Sequence, residues 1–183
     1  MSAELVLIAP PDAPADRLSA ALSAALDRGP VSALLLPRGR RSENDYKSLV
    51  KTVTPLAQAR GTAVLVEGDP GLVRKLGVDG LHVPLGVNAV REAVEALKPD
   101  FIVGVGDVRS RHDAMQKGEL DIDYILFGPL SGPMDETARE LARWWAETMQ
   151  VPSIFSDPEA DPAALDGAGC DFVALPLVLP ETA

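Results

Sequence analysis

The chain has 183 residues, 46% of them hydrophobic, and its 17 lysines and arginines against 27 acidic residues give a formal charge of -10. That length and apolar content suit one folded domain over residues 1–183 with a sizeable core, and the acidic balance gives an average surface field that repels nucleic acid and anionic membranes. The one cysteine, Cys170, has no internal partner, the opening Met-Ser-Ala-Glu lacks a signal peptide's basic and apolar regions, and no run approaches the ~18 apolar residues of a membrane span; a reducing, cytoplasmic compartment is expected.

The first strand is expected over residues 5–8, closed by Pro10 and Pro11, followed by a helix over 16–28 with Leu18, Leu22 and Leu26 at helical spacing and Gly29-Pro30 as its stop. A second strand at 31–36, the loop Pro37-Arg-Gly-Arg-Arg41 and a helix over 44–60, interrupted near Pro55, come next. Strand three takes 62–66, and the short helix 70–76 starts on a proline, tolerated there because its missing N–H would be unpaired anyway, and ends at Gly77. Strand four (80–83) leads to an amphipathic helix over 88–97 with Asn88 as its cap. Strand five (101–105), a helix over 109–117, and the apolar run within 121–129, which reads as a buried parallel strand, follow. A helix over 135–149 carries Leu141, Trp145 and Met149 on one stripe, both tryptophans reading as packing residues. Strand seven (152–155), a small helix (161–168) and strand eight (171–175) complete the pattern.

Eight strands with seven intervening helices predict a compact (β/α)8 barrel rather than an open doubly wound sheet. The chain is shorter than the roughly 200 residues usual for such barrels, so its loops must be short. After strand eight too few residues remain for a full last helix, which leaves apolar surface near Val178 and Leu179 uncovered. That surface, or the tryptophan helix, is a candidate homodimer contact.

Barrel active sites are built where strands end, which singles out several residues. Arg38 and Arg40 follow strand two and are set to hold a carboxylate or phosphate bidentately; the alternative is a solvated basic loop with Arg41. His82 alternates with Gly80 and either faces the barrel mouth as an acid or base near neutral pH or is a hydrogen-bonded core histidine. Glu67, Asp107 and Asp157 follow strands three, five and seven; converging, they would bind a cation or transfer protons, and otherwise they are exposed loop acids. Gly104-Val-Gly106 is too little for a nucleotide motif and reads as room made inside the barrel, while Cys170 reads as a buried structural thiol.

Asp79-Gly-Leu-His-Val83, Ile102-Val-Gly-Val105 and Asp123-Tyr-Ile-Leu-Phe-Gly-Pro129, with Val151-Pro152 and Gly169-Cys-Asp-Phe-Val-Ala174 further on, resemble in number and order the motifs of the thiamine phosphate synthase and thiazole tautomerase superfamily of small (β/α)8 barrels. The resemblance implies a synthase that joins a pyrimidine diphosphate to a thiazole phosphate with magnesium and releases pyrophosphate. It also implies departures. The family's Gln-x-Arg-x-Lys falls on Leu36, Arg38 and Arg40; its Asn-Asp, serving diphosphate and magnesium, on Glu67-Gly68; its later magnesium aspartate on Val87. Its serine and the tautomerase histidine fall on Gly106 and Val108, with His112 displaced, and its diphosphate lysine on Glu136. The phosphate-cradling Gly-Gly and Ser fall on Asp157-Pro158 and on Leu177, preceded by Pro176. The expectation is a divergent or catalytically inactive small-ligand barrel, with His82 and Asp107 as catalytic candidates, Arg38, Arg40 and Glu67 as ligand contacts, and no metal ligand assigned; the alternative is a working synthase, which alone would bring magnesium as cofactor.

Overall fold

The structure, a computed structural model, describes residues 2–181. Its eight strands pair in parallel and in chain order around a closed barrel: β1 (Glu4–Ile8), β2 (Ala33–Leu36), β3 (Ala63–Val66), β4 (Gly80–Val83), β5 (Ile102–Val105), β6 (Tyr124–Phe127), β7 (Ser153–Ser156) and β8 (Phe172–Pro176). Six helices make crossovers on the outside: α1 (Ala15–Arg28), α2 (Glu43–Gln58), α3 (Gly71–Leu76), α4 (Val87–Leu97), α5 (Arg111–Gly118) and α6 (Glu136–Thr148). The fold is a TIM barrel with an incomplete helical ring. Most strands are four residues long and apolar at nearly every position because both faces are covered, one by helices and one by the barrel interior. Leu34, Leu36, Val64, Val66, Val103 and Val105 join the outer core; Val6, Ile8, Leu35, Leu65, Leu126 and Ile154 fill the barrel.

A repeated aspartate sets the register at the strand starts. Asp79, Asp123 and Asp171 each precede an even-numbered strand, and each carboxylate accepts a hydrogen bond from the backbone of the strand before it: from Val64 at 2.8 Å, Val103 at 2.8 Å and Ser153 at 3.0 Å. A charged acceptor for an otherwise unpaired sheet N–H contributes roughly 1.5–3 kcal/mol. Lys98 closes one of these staples with an ion pair to Asp123 at 2.7 Å.

Several local expectations change. Pro55 does not interrupt α2, because it lies on the solvent face, where the carbonyl it leaves without a donor can be hydrated. Asn88 does not cap α4: Gly86 is the N-cap, and the Asn88 side chain instead accepts from Arg91 one turn on. Of the small helix expected over 161–168 a single 3₁₀ turn forms, Pro162–Ala164, capped by Asp161; Pro162, two alanines and Gly167 offer no apolar stripe to dock, so the described residues hold six α-helices instead of seven. Trp145 is buried in the outer core with its Nε1 donating to Val151 O at 2.9 Å, and Trp144 packs edge-on against it. No helix follows β8 among the described residues. Where it would lie, an apolar groove of about 470 Å³ runs between α1 and the outer face of β1 and β8, lined by Leu5, Leu7, Ala25, Leu175 and Leu177, with Val178 73% exposed at its rim.

Candidate functional site at the barrel mouth

The loop after β2 is held down by an arginine that sequence reasoning left in the background. Arg41 donates to the carbonyls of Pro37 at 3.1 Å, Ala13 at 2.8 Å and Pro10 at 3.3 Å, tying this loop to the one after β1. Arg38 and Arg40 are exposed, and Arg38 Nε reaches Arg41 O at 3.2 Å. Glu67 stands beside them, accepting from the Arg38 backbone N–H at 3.3 Å. Burial raises the Glu67 carboxyl above its ordinary range, with the Arg38 N–H opposing. Buried Tyr46 links the two strand ends, donating to Leu36 O and accepting from Glu67 N–H at 3.0 Å.

On the other side of the mouth the barrel interior is cut away by glycines and refilled by two rings. Gly104 faces Tyr124 across the β5–β6 pairing, and a Cβ at Gly104 would lie 1.8 Å from the tyrosine Cζ, so the ring occupies the space that any other residue would need. Tyr124 Oη reaches His82 Nδ1 at 2.7 Å, with the rings nearly parallel at 9°. Gly106 makes the same room for His82: its Cβ would stand 2.7 Å from Nε2. His82 answers to both locations that the sequence left open, core and mouth. It is a buried, hydrogen-bonded histidine, 1% exposed, and it also lines a mouth cavity of about 240 Å³ with Pro84, Asp107, Leu126, Gly128, Pro129 and Leu130. Burial depresses the imidazole to about 4, so the ring is neutral at neutral pH.

Asp107 opens the loop after β5 with φ +52, a left-handed conformation uncommon outside glycine. Fully buried Lys117 on α5 holds it, donating to the carbonyls of Gly106 and Asp107, both at 3.3 Å, and to Asp113 at 3.2 Å. The Asp107 carboxylate is forked by Arg109, at 3.2 Å on each oxygen. Strained backbone of this kind clusters at functional sites. His112, on the same helix, is exposed.

At the loops after β7 and β8, where many barrels build a phosphate site, two groups are already engaged. Asp157 is paired with Arg139 of α6 at 3.6 Å; Arg139 lies over the Phe155 ring at 5.1 Å and also meets Glu136 at 3.2 Å. Asp157 is therefore a neutralised carboxylate rather than a free negative charge. The Leu177 N–H is spent on Ile8 O at 2.8 Å. Glu67, Asp107 and Asp157 do not converge, each having its own basic or N–H partner, and among the described residues no group of three histidine, cysteine, aspartate or glutamate side chains could hold a metal ion. A magnesium ion held here would take most of its oxygen ligands from substrate phosphates and water. Cys170 is buried, and desolvation raises its thiol to about 11, which disfavours the thiolate at neutral pH. No helix among the described residues is long and apolar enough to cross a membrane.

The mouth so described sits on a scaffold with known relatives. In overall shape the chain is similar to a thiamine phosphate pyrophosphorylase from Pyrococcus furiosus (TM-score 0.72, 16% identity, 94% of this chain and 85% of that one) and to an HpcH/HpaI aldolase from Desulfitobacterium hafniense (TM-score 0.70, 14% identity, 96% and 86%), likenesses that speak for the fold alone. In sequence it is 34% identical over 179 residues to the thiamine-phosphate synthase of Rhodospirillum centenum, covering 93% of this chain and 86% of that protein, and 34% identical over 185 residues to that of Hyphomonas neptunium, covering 93% and 83%. The family model for thiamine monophosphate synthase matches residues 5–175, from the first strand of the barrel into the last. The chain belongs to the thiamine monophosphate synthase family.

Proposed function

We propose that this chain works as a thiamine-phosphate synthase, joining a pyrimidine diphosphate to a thiazole phosphate at the barrel mouth. The observation that carries this is the 34% identity to curated thiamine-phosphate synthases across 93% of the chain, a likeness spread over the whole barrel. Arg38 and Arg40 are the exposed cations at the mouth that would neutralise anionic substrate groups, Glu67 orders the loop that carries them, and His82 and Asp107 line the cavity that would take the uncharged part of a substrate. No step is assigned to a metal held by the protein.

A second reading, a divergent barrel that binds a small ligand without turnover, is favoured by one specific arrangement: the Arg139–Asp157 pair and the committed Leu177 N–H stand where a phosphate cradle would need open backbone donors. The two readings separate on product formation. Purified protein supplied with both phosphorylated precursors and magnesium is expected to form thiamine phosphate, and simultaneous replacement of Arg38 and Arg40 by alanine to suppress it. Absence of product alongside calorimetric binding of thiamine phosphate would instead establish the second reading.

A further inference from the structure

The open stretch of the helical ring carries a groove, an apolar knob and two charged banks within one patch. The groove floor is the outer face of β1 and β8, with Leu5, Leu7 and Leu175, and no helix covers it among the described residues. Val178 stands at its rim, 73% exposed, the most exposed of the large apolar side chains described. The segment that presents it is pinned on both sides: the Leu177 N–H donates to Ile8 O at 2.8 Å, and Arg17 of α1 donates to Pro180 O at 2.7 Å. A side chain already held in place loses little further freedom when a partner buries it.

The two banks differ in sign. Arg28 of α1 stands on one wall; the loop after β7 forms the other through Pro158, Ala160 and Pro162, with exposed Glu159 and Asp161 between them. A partner of a single charge sign is repelled by one bank or the other. An added strand finds no ladder either, because the barrel is closed. What the groove fits is a surface that carries an apolar knob and both signs of charge, and this patch is itself such a surface. We propose that it is the isologous interface of a homodimer: a two-fold axis sets Val178 of each copy into the groove of the other and brings each Arg28 against the partner's Glu159 and Asp161. The tryptophan helix, the other face the sequence offered for self-association, is less suited. Trp144 is half-buried, and Arg111 of its own chain already lies over its ring at 5.0 Å. The interface lies on the outer face of the sheet, and the proposal stands whether or not the mouth is that of a synthase.

Sedimentation equilibrium of the 183-residue chain from about 1 to about 200 μM tests the proposal. The mass should rise reversibly from one chain toward two, with a dissociation constant on the order of 10 μM. Val178→Glu carries a carboxylate into the partner's groove and should weaken the dimer at least about a hundredfold, because a two-fold interface counts each substitution twice; its urea midpoint at about 1 μM, where the chain is monomeric, should match the parent's. Arg28→Glu and Glu159→Arg should each weaken it about tenfold, and the two combined in one chain should restore it. A chain monomeric at the highest concentration, a dimer indifferent to Val178→Glu, or charge reversals that fail to compensate each other overturns the proposal. Dissociation by Trp144→Glu but not by Val178→Glu would overturn it in favour of the tryptophan helix. A monomer that binds anilinonaphthalene sulfonate and loses it on Val178→Glu would overturn it in favour of a small apolar ligand.

Discussion

Replacing Lys117 by methionine removes the ammonium and keeps the stem. In the native protein Nζ sits on a side chain 2% exposed and donates to Gly106 O, Asp107 O and Asp113 at 3.2–3.3 Å. Breaking a buried ion pair by removing one partner typically destabilises by about 3–5 kcal/mol, because the other charge is left without compensation. Here Asp113 keeps 27% of its side chain in water and still accepts from Arg109 N–H, so it is partly compensated, and the variant no longer has an ammonium to desolvate. The expected loss is about 2 kcal/mol, chiefly from two carbonyls deprived of a charged donor. Lys117→Ala adds the loss of the buried methylenes, near 0.8 kcal/mol each less what repacking recovers, for about 4 kcal/mol. Equilibrium urea unfolding reads both, and a fall in midpoint at unchanged slope marks a stability effect. Lys117→Met within 0.5 kcal/mol of the parent would refute the reasoning, since it would mean that the strained backbone at Asp107 needs no buried cation.

His82 makes stability depend on pH. Its imidazole protonates at about 4 in the folded chain against 6.5 when unfolded, so between those values the unfolded chain binds the extra proton and stability falls as pH falls; about 3 kcal/mol present above pH 6.5 should be lost by pH 4, and unfolding curves of His82→Gln should lack that component. Asp157→Asn removes a carboxylate from Arg139, so inorganic phosphate should bind about tenfold more tightly by calorimetry, about 1.4 kcal/mol, and no gain would show that this pair is not what limits phosphate at the loop after β7. Arg38→Ala should weaken thiamine phosphate binding about tenfold while leaving unfolding within about 1 kcal/mol, as its side chain is exposed and its link to Glu67 runs through the backbone N–H. A collapse in stability instead would make Arg38 a second structural pin beside Arg41.

The barrel was legible because its signals are local and repeat: short apolar runs with proline or glycine at their ends, each followed by a helical stripe, leave few other ways to bury both sheet faces. Gly104 and Gly106 were read correctly as room inside the barrel, but not what fills it. That needed the β5–β6 register, which sets Gly104 opposite Tyr124 and is invisible to any single strand's pattern. The strand-leading aspartates could be seen as a recurrence, whereas their bonds to the preceding strand are tertiary. At the mouth, the arginines after β2 could be placed on the correct loop, yet which of three adjacent arginines is structural depends on the carbonyls of Pro10 and Ala13, some thirty residues earlier. Arg139 and Lys117 went unnoticed for a related reason: charged residues on helices read as solvated, and only packing reveals that one reaches a strand-end carboxylate and the other is buried.

The gap in the helical ring also says something about how a barrel tolerates loss. An open sheet that sheds a flanking element exposes a row of unpaired N–H and C=O groups, a template for foreign strands. Here β1 and β8 close on each other through five residue pairs, from Glu4 with Phe172 to Ile8 with Pro176, so the missing helix bares side chains and no ladder. The penalty is confined to apolar area, which can be trimmed or covered one substitution at a time, whereas an unsealed strand edge must be guarded from the outset. A closed sheet therefore leaves no strand edge to guard where the helical ring is open among the described residues.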